Sequence, residues 1–156
     1  MLSSAASHSN DSDIGVDVKI FTDSEQETLD LARHMGEKAS PGDIICLTGD
    51  LGTGKTVFSK GFAEGLGITE TVNSPTFTIV QTYEGGRLPL HHFDVYRIGD
   101  ISEMDEIGFD EFLFGDGVCL IEWADLVEEL IPDNAVKVNI QKDPEKGFDP
   151  RIITIS

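Results

Sequence analysis

Residues 49–56, Gly-Asp-Leu-Gly-Thr-Gly-Lys-Thr, match the pattern G-x-x-x-x-G-K-[ST] at every fixed position. Glycines in this pattern allow the backbone to curl so that successive N–H groups point inward at phosphate oxygens. The lysine then reaches the β- and γ-phosphates, and the final hydroxyl is offered to Mg²⁺. The run therefore predicts a phosphate-binding loop, whose nucleotide contacts come from Asp50, Leu51, Gly52, Thr53, Gly54, Lys55 and Thr56.

The sequence on both sides of this loop has the pattern that such a loop requires. Residues 43–48 are apolar and β-branched, as in a buried strand. Phe58, Phe62 and Leu66 recur at four-residue spacing, which indicates one face of a helix, with Gly67 as its C-cap. A glycine-rich turn with a stray lysine is the other interpretation, but such a chance match has a probability of about one per cent or less. We therefore expect a nucleotide site.

The remaining hydrophobic pattern predicts strands that alternate with helices. Ser24 and Glu27 form a capping box at the start of a helix that runs to about Lys38. Further strands are predicted at 16–21, 78–83, 88–93, 118–121, 136–141 and 152–155. Two of the strands are wholly apolar, which indicates that they belong to a parallel sheet covered by helices on both faces. The turn at 84–87 indicates a hairpin between the strands on either side of it. We expect an α/β fold, a P-loop NTPase-like three-layer sandwich with a mixed, mostly parallel central sheet.

The length of 156 residues fits one domain, which we place at 16–156. Residues 1–15 are rich in Ser, Asn and Asp and are expected to form a disordered tail. No apolar run approaches the roughly 20 residues of a membrane span, and the first basic residue is Lys19. We therefore expect a cytoplasmic protein without membrane contact. Cys46 and Cys119 fall in predicted buried strands and are expected to be reduced core residues.

The formal net charge of −18, with only 11 Lys and Arg, limits the possible partners. Such a surface repels a nucleic-acid backbone unless it carries a basic patch, and the sequence has none. We expect no DNA binding and no tight tRNA binding by this chain alone.

Two acids could hold a metal ion near the phosphate loop. Glu122 follows the apolar run 118–121, the arrangement of a strand-end acid that binds Mg²⁺ or positions water. Asp94, at the end of a predicted strand, is the second candidate, although either acid could simply face solvent. The pair 91–92, His-His, is interpreted as structural, since zinc usually takes three or four protein ligands. If their strands are parallel neighbours, Glu122 and the phosphate loop face one site.

Four further residues bear on this site. Thr76, in the Ser-Pro-Thr run 74–76, lies where P-loop nucleotidases often have a switch segment, although an ordinary turn has the same pattern. Trp123 either supports the nucleotide or Glu122, or is a core residue. Lys55 is expected to be solvated when the site is empty. No arginine finger is evident near the phosphate loop, and Arg97, the nearest arginine by motif, fits a structural role equally well.

Taken together, these motifs resemble the TsaE family. The runs 49–56, 73–78, 92–97 and 121–123 match its phosphate loop, its switch-like segment and its second and third motifs in order and spacing. The resemblance extends from about residue 17 to the end of the chain. Four motifs in sequence are far more specific than the loop alone.

The resemblance implies a function that composition does not show. TsaE proteins are ATPases that act with TsaB and TsaD in making threonylcarbamoyladenosine in tRNA. On that basis the chain binds ATP and Mg²⁺, with Thr56 and Glu122 as metal ligands and Lys55 as the phosphate clamp. Asp94 becomes a catalytic or metal-associated acid. The resemblance also places nucleotide contacts at Ser24 and Thr28.

Other functions stay open from the residues alone. A small-molecule kinase would need a lid, usually rich in arginine, whereas the arginines here are scattered at 33, 87, 97 and 151. A GTPase would need an N-K-x-D motif, which is absent from the sequence. A third alternative is a module that senses a nucleotide without hydrolysing it. Only Glu122, as a candidate catalytic acid, argues against this alternative, and it does so weakly. Because of the missing arginine, we expect slow hydrolysis by the isolated chain and faster hydrolysis with partners.

Overall fold

The computed structural model describes residues 17–49, 54–75, 78–143, 145 and 150–156. The predicted tail at 1–15 and the loop residues at 50–53 lie outside the described residues, as does Thr76. The strands are β1 (Val18–Thr22), β2 (Ile44–Thr48), β3 (Val80–Tyr83), β4 (Leu90–Asp94), β5 (Val118–Glu122), β6 (Val136–Lys142) and β7 (Arg151–Ile155). The helices are α1 (Glu25–Lys38), α2 (Lys55–Gly65), α3 (Ser102–Glu106) and α4 (Phe109–Leu113), followed by the 3₁₀ segment Ala124–Leu130.

The strands form one sheet in the order β1-β7-β6-β2-β5-β4-β3. The four central strands, β6, β2, β5 and β4, run parallel to one another. The pairs β1–β7, β6–β7 and β3–β4 are antiparallel and lie toward the two edges. Every residue of β5 is buried, as is every residue of β2 before Thr48, which explains why these strands are apolar on both faces. The mixed sheet of the predicted α/β fold is confirmed.

Helices cover both faces of this sheet. α1 and α2 lie over one face, where Ala32, Phe58 and Phe62 pack with Leu47 and Leu120. α3, α4 and the 3₁₀ segment cover the other face with residues such as Met104, Phe109 and Val127. The described part of the chain is thus a three-layer sandwich, as predicted.

The two larger helices approach each other closely through glycines. A Cβ on Gly36 would lie 2.2 Å from the carbonyl oxygen of Phe62, and one on Gly65 would lie 2.1 Å from that of Arg33. Such separations are far below any real carbon–oxygen contact, so α1 and α2 can pack at this distance only with glycine at these positions. The packing fixes α2, and with it the end of the phosphate loop, against the sheet.

Several boundaries differ from the sequence prediction. The start of α1 agrees, because Ser24 accepts a hydrogen bond from the backbone N–H of Glu27 at 3.2 Å. β3 begins only at Val80, because Ile79 has a left-handed backbone with φ of 70°. The segment Ala124–Leu130, which follows β5, is 3₁₀ and is kinked at Val127. These departures depend on local backbone angles that hydrophobic spacing does not encode.

Cys46 and Cys119 are buried free thiols in the two central strands, as predicted. Burial raises the pKa of Cys46 to about 11 and that of Cys119 to about 12, so both thiols stay protonated at neutral pH. Within the described residues, no helix is long and apolar enough to cross a membrane.

Candidate functional site

The carboxyl ends of three parallel strands bring the predicted site together. Leu47 of β2 pairs with Glu122 of β5, and Glu122 pairs with Asp94 of β4. β2 is followed directly by the phosphate-loop sequence. The predicted condition, that the strands carrying the loop and Glu122 are parallel neighbours, is therefore confirmed. Ligands in sheets of this kind lie beyond these strand ends.

The end of the phosphate loop enters α2 through a backbone that only glycine adopts readily. Gly54 has φ of 112°, which is left-handed, and it precedes Lys55 as the N-cap of the helix. Thr56 follows on the first turn with an exposed side chain. Free N–H groups at such a helix start favour an anion. The geometry of the described part of the loop agrees with a phosphate site.

Lys55 is folded inward in this structure. Only 6% of the residue is exposed, its Nζ donates to the carbonyl oxygen of Gly49 at 2.5 Å, and the same atom lies 4.2 Å from the ring centroid of Trp123. The expectation that this lysine is solvated when the site is empty is therefore wrong. The loop carbonyl and the indole face replace water around the ammonium group.

Glu122 is buried at the end of β5, with 3% of the residue exposed. Its Oε2 lies 2.6 Å from Nε2 of His92 and 3.3 Å from Oγ of Ser59. Ser59 also donates to the carbonyl oxygen of Lys55 at 2.9 Å. The acid is thus tied both to β4 and to the first turns of α2. Sequence reasoning missed Ser59, because a serine inside a helix has no motif that marks this contact.

Asp94 is a buried acid whose two oxygens both accept hydrogen bonds. Ser74 donates to Oδ2 at 2.6 Å, and the backbone N–H of Tyr96 donates to Oδ1 at 3.0 Å. The first of these bonds ties the segment that begins at Asn73 to the strand end. Asp94 therefore lies beside Glu122, and its observed contact is with the switch-like segment, while its role toward Mg²⁺ stays a prediction.

Trp123 lies between the core and the phosphate loop. Its backbone is left-handed with φ of 63°, and its N–H donates to the carbonyl oxygen of Leu47 at 3.1 Å. The ring centroid lies 4.7 Å from that of Tyr96, which is half exposed, with the two rings tilted by 42°, and the indole also faces Lys55 on the phosphate loop. The indole is partly buried against the core as well, so support of the nucleotide or of Glu122 by Trp123 stays a prediction.

The start of α1 follows the carboxyl end of β1, at the same end of the sheet as the phosphate loop. Ser24 caps the helix, and Thr28 is buried with its hydroxyl 2.8 Å from that of Thr22. Thr22 is paired with Arg151 across β1 and β7. Nucleotide contacts at Ser24 and Thr28 stay predictions, and the Thr28 hydroxyl already has a partner.

Arg151 is a residue that the sequence prediction missed. A Cβ on Gly54 would lie 4.0 Å from Nε of Arg151, so the guanidinium group is adjacent to the end of the phosphate loop. Arg151 therefore lies next to the loop, which the sequence did not indicate. Arg97, the nearest by motif, is exposed beyond β4. The closeness of Arg151 depends on the pairing of β7 with β6 and of β6 with β2, which joins distant parts of the sequence.

The residues at this site have the chemistry that Mg²⁺ with a nucleotide requires. Mg²⁺ prefers oxygen ligands and takes only one or two from protein when phosphates are present. No described group donates a hydrogen bond to Oε1 of Glu122, and the Thr56 side chain is exposed. No cluster of three or more His, Cys, Asp or Glu occurs among the described residues. A carboxylate and a hydroxyl are a donor set that fits Mg²⁺ completed by phosphate oxygens and water.

Comparison with known proteins gives the family. The family model described as threonylcarbamoyl adenosine biosynthesis protein TsaE matches residues 22–151. The chain is 51% identical over 139 residues to the tRNA threonylcarbamoyladenosine biosynthesis protein TsaE of Bacillus subtilis, covering 89% of this chain and 85% of that protein. The chain belongs to the TsaE family. The TsaE protein of Treponema pallidum is 41% identical over 118 residues, covering 76% of this chain and 87% of its own.

A solved structure supports the same fold. The crystal structure of YdiB from Bacillus subtilis superposes with a TM-score of 0.77 at 45% identity, covering 90% of this chain and 84% of that chain. The part of the chain matched by the TsaE model begins before Ser24 and ends at Arg151. It therefore contains each candidate site residue. The individual roles of these residues stay predictions.

Proposed function

We propose that this chain is the ATP-binding and ATP-hydrolysing component of the machinery that makes N6-threonylcarbamoyladenosine in tRNA, acting with TsaB-like and TsaD-like partners. The observation that carries the proposal is the register of the central strands. It aligns Glu122 with the end of β2, immediately before the phosphate loop. Relatives named for tRNA threonylcarbamoyladenosine biosynthesis, at 51% and 41% identity, support the pathway.

In this proposal the chain's own residues bind, orient and position. ATP with Mg²⁺, when bound, supplies the transferable γ-phosphoryl group and the positive charge that polarises it. Backbone N–H groups at the start of α2 and the Lys55 ammonium hold phosphate oxygens, and Thr56 and Glu122 hold the metal. Asp94 is a catalytic or metal-associated acid that also anchors the segment following Asn73.

The negative charge of this chain opposes direct binding of tRNA. With a net charge of −18, the chain is proposed to contact tRNA only indirectly, through its partners. We propose no contact with DNA or a membrane, and a cytoplasmic location. The domain is proposed to comprise residues 16–156.

We also propose that the isolated chain hydrolyses ATP slowly. One support is that the sequence has no evident arginine finger, because the place of Arg151 beside Gly54 does not by itself make it one. The other support is the switch-like segment, which Ser74 ties to Asp94 and which is followed by the left-handed backbone of Ile79. Segments of this kind are ordered or repositioned by a bound partner.

Steady-state phosphate release tests the proposal, for the isolated chain and with TsaB-like and TsaD-like proteins added. We expect a slow basal rate that the partners raise, and a smaller rise for Thr76→Ala. Glu122→Gln should keep ATP binding but lose about 10²–10⁴-fold in hydrolysis, as removal of a catalytic group typically does. Glu128→Gln is the matched control, because this acid is exposed and pairs with Lys137 at 3.6 Å.

The outcomes distinguish the alternative functions. A phosphorylated small molecule in place of free phosphate would indicate a kinase. ATP binding without release of phosphate, even with partners, would indicate a sensing module. Fast hydrolysis that partners do not change would indicate a self-sufficient ATPase.

A further inference from the structure

His92 is a fully buried residue on β4 whose polar contact is with Glu122. None of the residue is exposed, and its Nε2 lies 2.6 Å from Oε2 of the acid. Its Nδ1 is the one buried side-chain polar atom without a hydrogen-bond partner in the described part of the chain. A buried polar ring that leaves one nitrogen unpaired needs a reason, because such groups are usually satisfied.

The protonation of the ring follows from these contacts. As a metal ligand Glu122 is ionised and can only accept hydrogen bonds, so Nε2 of His92 carries the proton. Ser59 has a single hydroxyl proton, and its shorter contact is with the carbonyl oxygen of Lys55, at 2.9 Å against 3.3 Å to Glu122. His92 is therefore the principal donor to the acid.

We propose that His92 is a positioning residue for Glu122. Its hydrogen bond holds Oε2, which leaves Oε1 as the oxygen for a metal ion, since no described group donates to Oε1. The inference rests on the proposed function, because it assumes that Glu122 binds Mg²⁺. Groups that orient a metal ligand in this way typically change metal affinity or activity by 10–100-fold when they are removed.

The sheet explains why a histidine can reach this acid. His92 pairs with Leu120, two residues before the pairing of Asp94 with Glu122, so all four side chains lie on the α2 side of two neighbouring strands. Its neighbour His91 lies on the opposite face, where Nδ1 is 2.9 Å from the Thr82 hydroxyl. The two histidines, alike in sequence, have different surroundings.

The test measures the gain in ATP affinity that Mg²⁺ provides, by titration calorimetry of the full chain in EDTA and in excess Mg²⁺. His92→Phe keeps a buried ring but removes the donor, and we expect the Mg²⁺-dependent gain to fall about 10–100-fold. The affinity for ATP in EDTA should stay within about twofold of the wild type. A merely structural role of His92 would not lower the Mg²⁺-dependent gain while leaving the affinity in EDTA unchanged. His92→Gln, whose amide can donate to the same oxygen, should restore part of the gain.

His91→Phe is the matched control, and it should keep the wild-type gain. If His92→Phe folds and keeps that gain as well, the proposal is wrong. A wild-type chain that binds ATP without any gain from Mg²⁺ would instead contradict the proposed function together with this inference.

A second measurement does not depend on a variant that folds. Long-range ¹⁵N–¹H spectra of the histidine-labelled wild type should show His92 protonated at Nε2, with a signal that shifts when Mg²⁺ and ATP are added. Protonation at Nδ1 alone, or a signal that Mg²⁺ leaves unchanged, would overturn the proposal.

Discussion

Replacing Lys55 by Met removes the ammonium group but keeps an unbranched side chain of similar length. A solvated lysine that gained two charge-assisted hydrogen bonds of about 2 kcal/mol each from ATP would contribute about 4 kcal/mol to binding. That energy corresponds to about a thousandfold in affinity. In this structure, however, the ammonium group already has partners.

The contacts of the unliganded site reduce the expected loss. The hydrogen bond to the Gly49 carbonyl contributes about 1.5 kcal/mol, and the contact with the Trp123 ring contributes about 1 kcal/mol. Both are given up when Lys55 turns to phosphate, which leaves about 1.5 kcal/mol of net benefit. We therefore expect Lys55→Met to weaken ATP binding about tenfold.

Titration calorimetry with ATP and Mg²⁺ measures this loss directly. Lys60→Met, on the exposed side of the same helix, is the matched control and should bind as the wild type does. A thousandfold loss for Lys55→Met would show that the contacts with Gly49 and Trp123 carry no energy, and would refute the reasoning.

Two other predictions concern residues that the sequence did not single out. Arg151→Gln should weaken ATP binding about tenfold, as loss of one hydrogen bond to a charged group does, whereas Arg33→Gln, which breaks an exposed ion pair with Asp30, should not. If calorimetry gives the two variants the same affinity for ATP, Arg151 does not contribute to nucleotide binding. Gly65→Ala should cost about 3 kcal/mol and lower the melting temperature by about 10 °C, because its Cβ would meet the Arg33 carbonyl. Gly85→Ala is the control, because no atom lies closer than 4.0 Å to a Cβ at this position. If both variants lower the melting temperature equally, the close packing of α1 and α2 at Gly65 does not explain the loss of stability.

Local patterns were sufficient for the centre of the fold. The apolar runs of β2 and β5 made both strands recognisable, and the loop and Glu122 that follow them were assigned to one site on that basis. The tendency of ligand sites to lie at the ends of parallel strands was the basis of that assignment, and the structure adds that Asp94 is aligned with Glu122 on the neighbouring strand.

Contacts between distant segments were not predictable in the same way. Arg151 lies near Gly54 because β7 pairs with β6 and β6 pairs with β2, the strand before the phosphate loop, and no pattern near either residue marks those pairings. Lys55 is buried because Trp123 adopts a left-handed backbone, which is uncommon for a bulky residue. The contact of His92 with Glu122 was not predictable, because the two residues lie on different strands, 30 residues apart in sequence. Each of these features depends on tertiary register rather than on local sequence.

The most direct measurement is the amount of threonylcarbamoyladenosine formed in tRNA over several turnovers, by nucleoside mass spectrometry, with TsaB-like and TsaD-like proteins present. We expect the wild-type chain to sustain product formation, and Glu122→Gln, although it binds ATP, to fail to sustain it. Glu128→Gln should match the wild type. Sustained formation with Glu122→Gln at the wild-type rate would contradict the proposal that hydrolysis at this site drives the modification.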